Sequence, residues 1–310
     1  MCRTGGLAGR CRVDGGRLPH SGFPHPAFQL WLRIPSGSVG LFHSGEKGSS
    51  RPGRSAFDQM NLSKLASQGN SSPKSHQDRC RLVAETRRIE AAYARRERGD
   101  LYSWFNPGHL FLMQARERRV IGLMRRLGLT SWEGRRLLEV GCGNGLWLGE
   151  FIKWGAPPES LTGVDLLADR IAHARIRLAP RVGLARANAA FLPFTDASFD
   201  LVLQSMVFTS VLDSLMKEAM AREMLRVLKP GGLILWYDYH VNNPGNPDVK
   251  GVKRREIRQL FPGCQVKLEH LTLAPPLARI LAPVSYLLCY LLEKLPFLTT
   301  HYLGIIRKMA

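Results

Sequence analysis

LLEVGCGNGLWLGEF, residues 137–151, changes character twice within a few positions. LLEV is a short apolar run of strand type, and LWLGEFIKW that follows has helical length and period. Between them stand Gly141, Gly143 and Gly145. A tight strand-to-helix turn needs glycine where φ is positive or where a ligand meets the backbone, and a helix start offers unpaired N–H groups. A dinucleotide fingerprint, G-x-G-x-x-G, would place its last glycine at 146, which is Leu146; a P-loop would need a Gly-Lys-Ser/Thr end, which is absent. A bare turn accounts for one or two glycines, less well for three with Glu139 just ahead.

Working outward, strand-like runs recur at LTGVDL (161–166), GLARAN (183–188), FDLVLQS (199–205) and LILWYDY (233–239). ADRIAHARIRLA and DSLMKEAMAREMLRVL are the intervening helices, the second with Met216, Met220, Met224 and Val227 on one face and ended by Lys229-Pro230-Gly231-Gly232. Strands separated by single helices build βαβ units and a mostly parallel sheet. Such sheets bind ligands beyond the carboxyl ends of their strands. Asp165 ends the second strand, where a carboxylate can accept from both hydroxyls of a ribose. Asn188 follows the third, where its amide oxygen can accept from an adenine amine. An Asp or Asn there is ordinarily a turn or cap residue; in order on consecutive strands the two describe a nucleoside without a diphosphate.

On LLEVGCGNG, LTGVDL, NAAFLPFTDASFDLV and EMLRVLKPGGLILWYD, spread over about residues 136–240, the chain resembles the class I S-adenosylmethionine-dependent methyltransferases. The likeness is to their type 11 group, which includes the ubiquinone and menaquinone methyltransferases. The resemblance implies a Rossmann-like three-layer α/β sandwich on a mostly parallel seven-stranded sheet, its last strand antiparallel. QVKLEHLTL (265–273) and HYLGIIRK (301–308) are the candidates for the two remaining strands. It implies S-adenosylmethionine as cofactor and cofactor-binding positions at Glu139, Gly141, Cys142, Gly143, Gly145, Asp165, Leu166, Asn188, Ala189 and Gln204, with Glu139, Gly141 and Gly143 along the methionine part. Asn188 stands in Ala-Asn-Ala where many members carry Asp. Gln204 and Ser205 would lie near the sulfonium and the acceptor.

Methyl transfer from a sulfonium is an in-line displacement, so the protein chiefly orients and desolvates. Should a base be needed, His240, Tyr239 and His109 are the candidates. Tyr102, Trp104 and His109, ahead of the first strand, are lid candidates; helix-joining aromatic packing is the plainer reading of all three.

Residues 1–59 hold 11 Gly and 5 Pro, a low-complexity composition, and their apolar runs are too short for a signal peptide or a membrane span. The expected organisation is a disordered segment over 1–79, with Met60 as an alternative start; N-terminal helices or a lid over 80–130; and a methyltransferase domain over 131–310. Order is expected from about Cys80, with Leu82, Ile89 and Tyr93 on one helical face. A second helix is capped by Asn106, opened by Pro107 and closed at Gly128, with Leu110, Met113, Val120, Ile121, Met124 and Leu127 as its apolar stripe. The insertion at 273–300 includes an uncharged run, 280–292, too short to span a bilayer. It reads as a buried lid helix or as an interfacial patch that admits an apolar acceptor.

The formal net charge is +19, of which 12 fall within residues 1–59 and 79–128. Such charge invites anionic partners. Nucleic acid is disfavoured: Gln204-Ser205-Met206-Val207 is not the Asp/Asn-Pro-Pro-Tyr of base-amine methylases, and the arginine-rich helices lack interleaved aromatics. The expected partner is a small acceptor, lipid-like or glycan-linked, with peripheral contact to an anionic membrane from the cytoplasmic side. An RNA methyltransferase and a non-catalytic S-adenosylmethionine-binding protein are the alternatives. None of the six cysteines forms a Cys-x-x-Cys pair, so no metal site is expected.

Overall fold

The computed structural model describes residues 75–95 and 102–309. The low-complexity stretch 1–59 and the proposed start at Met60 lie outside the described residues, as does Leu101.

Seven strands form one sheet: β1 (Leu137–Val140), β2 (Leu161–Asp165), β3 (Gly183–Arg186), β4 (Phe199–Ser205), β5 (Leu228–Tyr239), β6 (Cys264–Leu273) and β7 (Thr299–Lys308). Their order is β3-β2-β1-β4-β5-β7-β6, and β7 runs antiparallel to both of its neighbours. The sequence-based strands recur with small shifts; both late candidates are strands. β5 begins earlier than expected, because Leu228 already pairs with Phe199 and the Lys229-to-Gly232 segment is absorbed as a register shift before Leu233 meets Leu201. Gly231, at φ 72°, turns the chain there instead of ending a helix before the strand.

Eight α-helices of the described residues flank the sheet: α1 (His76–Ala94), α2 (Pro107–Arg126), α3 (Leu146–Lys153), α4 (Ala168–Arg177), α5 (Ser214–Val227), α6 (Arg254–Leu260), α7 (Pro275–Leu281) and α8 (Tyr286–Leu292). Strand residues alternate between the two faces. Leu138, Val140, Val202, Ile234 and Trp236 pack with the Met216, Met220 and Met224 face of α5 and with Leu82 and Ile89 of α1. Leu137, Leu201, Leu203 and Leu235 face Trp147, Leu148 and Phe151 of α3 and Val120 and Met124 of α2. β1, fully buried at the centre, thereby aims Glu139 at the α2–α3 side.

The N-terminal helices depart from the expected pattern in two ways. α1 starts at His76, four residues before Cys80, because the Ser75 side chain caps it by accepting from the Asp78 N–H. α2 keeps its predicted cap: the Asn106 side chain accepts from the Gly108 and His109 N–H groups. Its buried face, however, is Phe111, Leu112 and Ala115 followed by Val120, Leu123 and Met124, while Ile121 is exposed. The first half of α2 turns toward α7, so closely that a Cβ on Gly108 would lie 2.6 Å from the Arg279 Cα. Phe111, Leu112 and Ala115 form a separate cluster there with Leu273, Ala278, Ala282 and Cys289.

The insertion is two short helices and is not a buried lid. Ile280, Val284, Leu287, Tyr290, Leu291 and Phe297 are all exposed. Among the described residues no helix is long and apolar enough to cross a membrane.

Candidate functional site

The glycine turn lies beyond the carboxyl end of β1. The Gly141 and Cys142 N–H groups both donate to the Val164 carbonyl, which ties the turn to β2. Gly141 sits at φ 74°, and a Cβ there would run into the Val207 side chain, so sterics and backbone conformation both demand glycine. Gly143, at φ 53°, presents its N–H to the Asp165 Oδ2 at 2.8 Å. The other carboxylate oxygen accepts from the Leu167 N–H at 2.9 Å. Asp165 thus fixes the loops after β1 and β2 together, and each oxygen keeps lone-pair capacity for a further donor.

A cavity of about 900 Å³ opens over these loops. Glu139, Gly141, Cys142, Gly143, Asp165, Leu166, Asn188 and Ala189 line it; Gly145 and Gln204 do not. Gly145 is the N-cap of α3, packed against Leu178. Gln204 is wholly buried behind the turn, its amide oxygen accepting from the Val207 N–H at 3.3 Å while its Nε2 has no partner. The Asn188 amide is already engaged: its oxygen accepts from the Ala190 N–H at 2.9 Å and its Nδ2 donates to the Thr86 hydroxyl at 3.0 Å, tying α1 to the loop after β3. Burial pushes the Cys142 thiol pKa up, so it sits in the wall as a small apolar group.

Glu139 is the most unusual group in the wall. Its side chain is buried and its Oε2 has no hydrogen-bond partner. Burial, reinforced by Asp165, holds its carboxyl well above the usual carboxylate range against the pull of the Arg116 guanidinium. Arg116, on α2, lines the same cavity and lies over the Trp147 ring at 4.3 Å and toward the Tyr237 ring at 5.8 Å. An acid and a base on one cavity wall complement an amino-acid zwitterion. Sequence reasoning missed Arg116 because it sits among the many arginines of 79–128; its one distinguishing mark there is the inward side of α2, shared with Leu112 and Leu123.

Val211, Met216, Met220 and Val249 also line the cavity, together with Asn243 and Asn246. α1 roofs it and is pinned by a network that sequence reading did not find. The buried Glu85 accepts from the Leu212 N–H at 2.6 Å and from Arg88 at 2.8 Å. Arg88 donates onward to the Ser210 carbonyl, and the Tyr93 hydroxyl meets the Ser210 hydroxyl at 3.0 Å. Met206, at the end of β4, lines the cavity at φ 58° without being glycine, a conformation that costs on the order of 1 kcal/mol.

Of the three candidate bases only Tyr239 lines the cavity, and burial pushes its phenol pKa up, so it remains protonated. His240 lies behind it, stacked on Tyr302 at 4.5 Å, its Nε2 unpartnered; burial, His270 and Lys253 depress it to about 4. His109 makes edge contacts with Tyr102 and Trp104, and burial with Arg116 and Arg279 lowers its pKa. Tyr102 reaches the cavity. Trp104 is an exposed neighbour outside it. Among the described residues no cluster of His, Cys, Asp and Glu could hold a metal ion.

Residues 137–232 match the family described as "Methyltransferase domain". The chain is 35% identical over 140 residues to the methyltransferase GfsG of Streptomyces halstedii, which covers 42% of this chain and 46% of that one. It is 33% identical over 115 residues to demethylmenaquinone methyltransferase of Staphylococcus aureus, covering 36% and 46%. The chain therefore spans less than half the length of these curated relatives. A solved S-adenosylmethionine-dependent methyltransferase from Archaeoglobus fulgidus aligns over 64% of this chain and 98% of its own at 20% identity, with a TM-score of 0.46.

Proposed function

We propose, from the match of residues 137–232 to the family described as "Methyltransferase domain", that this chain transfers a methyl group from S-adenosylmethionine to a small apolar acceptor, lipid-like in character and met at an anionic membrane surface. The cofactor supplies an electrophilic methyl group on a sulfonium centre with a thioether as leaving group. The observation that carries the reading is the buried, unpartnered Glu139 Oε2 facing a cavity that also presents Arg116. Glu139 would take the α-ammonium of the methionine part and Arg116 its carboxylate. Asp165 would hold the ribose hydroxyls with the lone pairs its two backbone bonds leave over. Leu166, Ala189 and Ile89 give the adenine ring apolar walls. Since the Asn188 amide serves Thr86 and Ala190, its part is to shape this end of the pocket and hold α1 over it.

Met216 and Met220 of α5, with Val211 and Val249, favour an apolar acceptor body. Asn243, Asn246 and the Tyr239 hydroxyl would orient its polar end. Tyr239 donates rather than accepts a proton, and His240 does not line the cavity, so the protein acts by orienting the acceptor and excluding water. The relatives named for methyl transfer, one of them on demethylmenaquinone, favour the same reading. The test is transfer of labelled methyl from S-adenosylmethionine to fractionated lipid and quinone extracts. Label in an apolar fraction is expected. Label only in a polar or nucleic-acid fraction would contradict the acceptor class.

A further inference from the structure

The α7–α8 hairpin exposes more large apolar side chain than any other part of the described residues. Val284 is 82% exposed, Leu287 68%, Phe297 64% and Ile280 58%. The patch continues across the start of α2, since the Tyr286 hydroxyl donates to the Pro107 carbonyl at 3.2 Å and Tyr286 packs edge-on against Phe111 at 5.6 Å. Phe105, 97% exposed, and Trp104 stand in that turn. Isolated exposed leucines are ordinary, but a contiguous patch marks an interaction surface.

Its charges indicate what covers it. Between 273 and 300 the sequence holds two cations, Arg279 and Lys294, and one acid, Glu293. The acid is turned inward: Glu293 Oε1 is buried without a partner, and burial holds the carboxyl above the usual range. Lys294 remains exposed beside the Tyr290 ring at 4.6 Å. An apolar face bordered by Trp and Tyr, with Lys294 exposed at its edge, Arg279 half-buried and no exposed acid between 273 and 300, complements the headgroup boundary of an anionic bilayer. The helices are too short to span one, so the element lies on the surface.

We infer that the α7–α8 hairpin and the aromatic turn before α2 form one docking surface for an anionic lipid bilayer. Tyr102, exposed at the mouth of the cavity and 6.0 Å from the His109 ring, places that mouth beside the surface. A lipid-like acceptor would then enter without crossing water; this purpose rests on the acceptor reading above, whereas the surface itself rests on exposure and charge.

The test is flotation of the full chain with vesicles of phosphatidylcholine alone and of phosphatidylcholine mixed with phosphatidylglycerol, with S-adenosylmethionine binding measured separately by calorimetry. The chain is expected to float with the mixed vesicles and to be released by salt. Leu287→Glu should lower the partition coefficient about tenfold or more, and Lys294→Glu about fivefold or more, both with cofactor binding intact. No flotation of the parent chain, or flotation unchanged by Leu287→Glu, would overturn the docking surface while leaving methyl transfer standing. So would a dimer in sedimentation that Leu287→Glu splits, since a second copy would then cover the patch. Failure of the parent chain to bind S-adenosylmethionine would instead strike the functional reading.

Discussion

Glu139→Gln separates what the site costs the fold from what it gives the ligand. In the unfolded chain Glu139 titrates near 4.5; in the folded protein burial keeps its proton on well above that value. Between those two pKa values the folded state binds one more proton than the unfolded state, so stability falls as pH rises, by about 1.4 kcal/mol per pH unit from this group. Its contribution is full below 4.5 and is lost as pH climbs through the folded pKa. Asp238, pushed up to about 7 by burial, has the same sign, so the informative quantity is variant minus parent. Glutamine has nearly the same shape and does not titrate; the variant should gain stability over the parent as pH rises above about 4.5. The same variant loses the anionic partner for a cofactor ammonium, a charge-assisted bond of about 1.5–3 kcal/mol, and should bind S-adenosylmethionine about ten- to hundredfold more weakly. The parent should also take its ligand more tightly with rising pH and release a proton on binding, while the variant does neither. Calorimetric melting over a pH series, with titrations in buffers of different ionisation enthalpy, reads both. A variant destabilised relative to its parent at neutral pH and unchanged in affinity would refute the reasoning.

Substitutions at four further positions have measurable outcomes. Arg116→Ala should weaken S-adenosylmethionine by about tenfold or more, since a guanidinium–carboxylate contact is lost, while Arg116→Lys recovers only part because it lacks the fork. Glu85→Ala takes the acceptor from the Leu212 N–H and one acceptor from the Arg88 guanidinium, which keeps the Ser210 carbonyl; it should cost about 1–3 kcal/mol and speed hydrogen exchange in α1 before it does so in the sheet. Trp236→Phe should cost less than a cavity of that size alone implies, because the fully buried Trp236 Nε1–H has no partner to lose. Trp236→Ala should cost about 3–5 kcal/mol in chemical denaturation. Gly141→Ala drives a methyl group into Val207 in a left-handed conformation; it should cost more than 2 kcal/mol, on the order of the conformational term plus the clash, and lower cofactor affinity together with stability.

The parallel sheet was legible because apolar strand runs alternate with single helices, and the polar residues that follow two of those strands have local backbone duties. Asp165 accepts from the turns after β1 and β2, and Asn188 from the turn after β3, so the spacing of polar residues after apolar runs reports topology directly. The same fact misleads about ligands. Asn188 reads as an adenine contact from position alone, and it does line the cavity, yet its amide also holds the structure together, accepting from Ala190 two residues on and donating to the distant Thr86. Gln204 likewise ends a strand at the right edge but turns behind the glycine loop. Arg116 and Glu85 were not legible, since their roles depend on which side of α1 and α2 meets the sheet. The packing of α2 on α7 through Gly108 sets that side and exposes Ile121. The exposure of 280–297 was left open: an uncharged run reads equally as a buried lid helix or an interfacial patch, and only the tertiary arrangement shows that this one has no cover among the described residues.

We propose that the groups gathered around Asp165 bind the nucleoside of S-adenosylmethionine. The most direct test is calorimetric titration of the full chain and of Asp165→Ala with S-adenosylmethionine and S-adenosylhomocysteine. Saturable binding of both by the parent chain is expected, with loss of both in a variant that still melts cooperatively. Equal binding by a folded Asp165→Ala, or none by the parent, would contradict it.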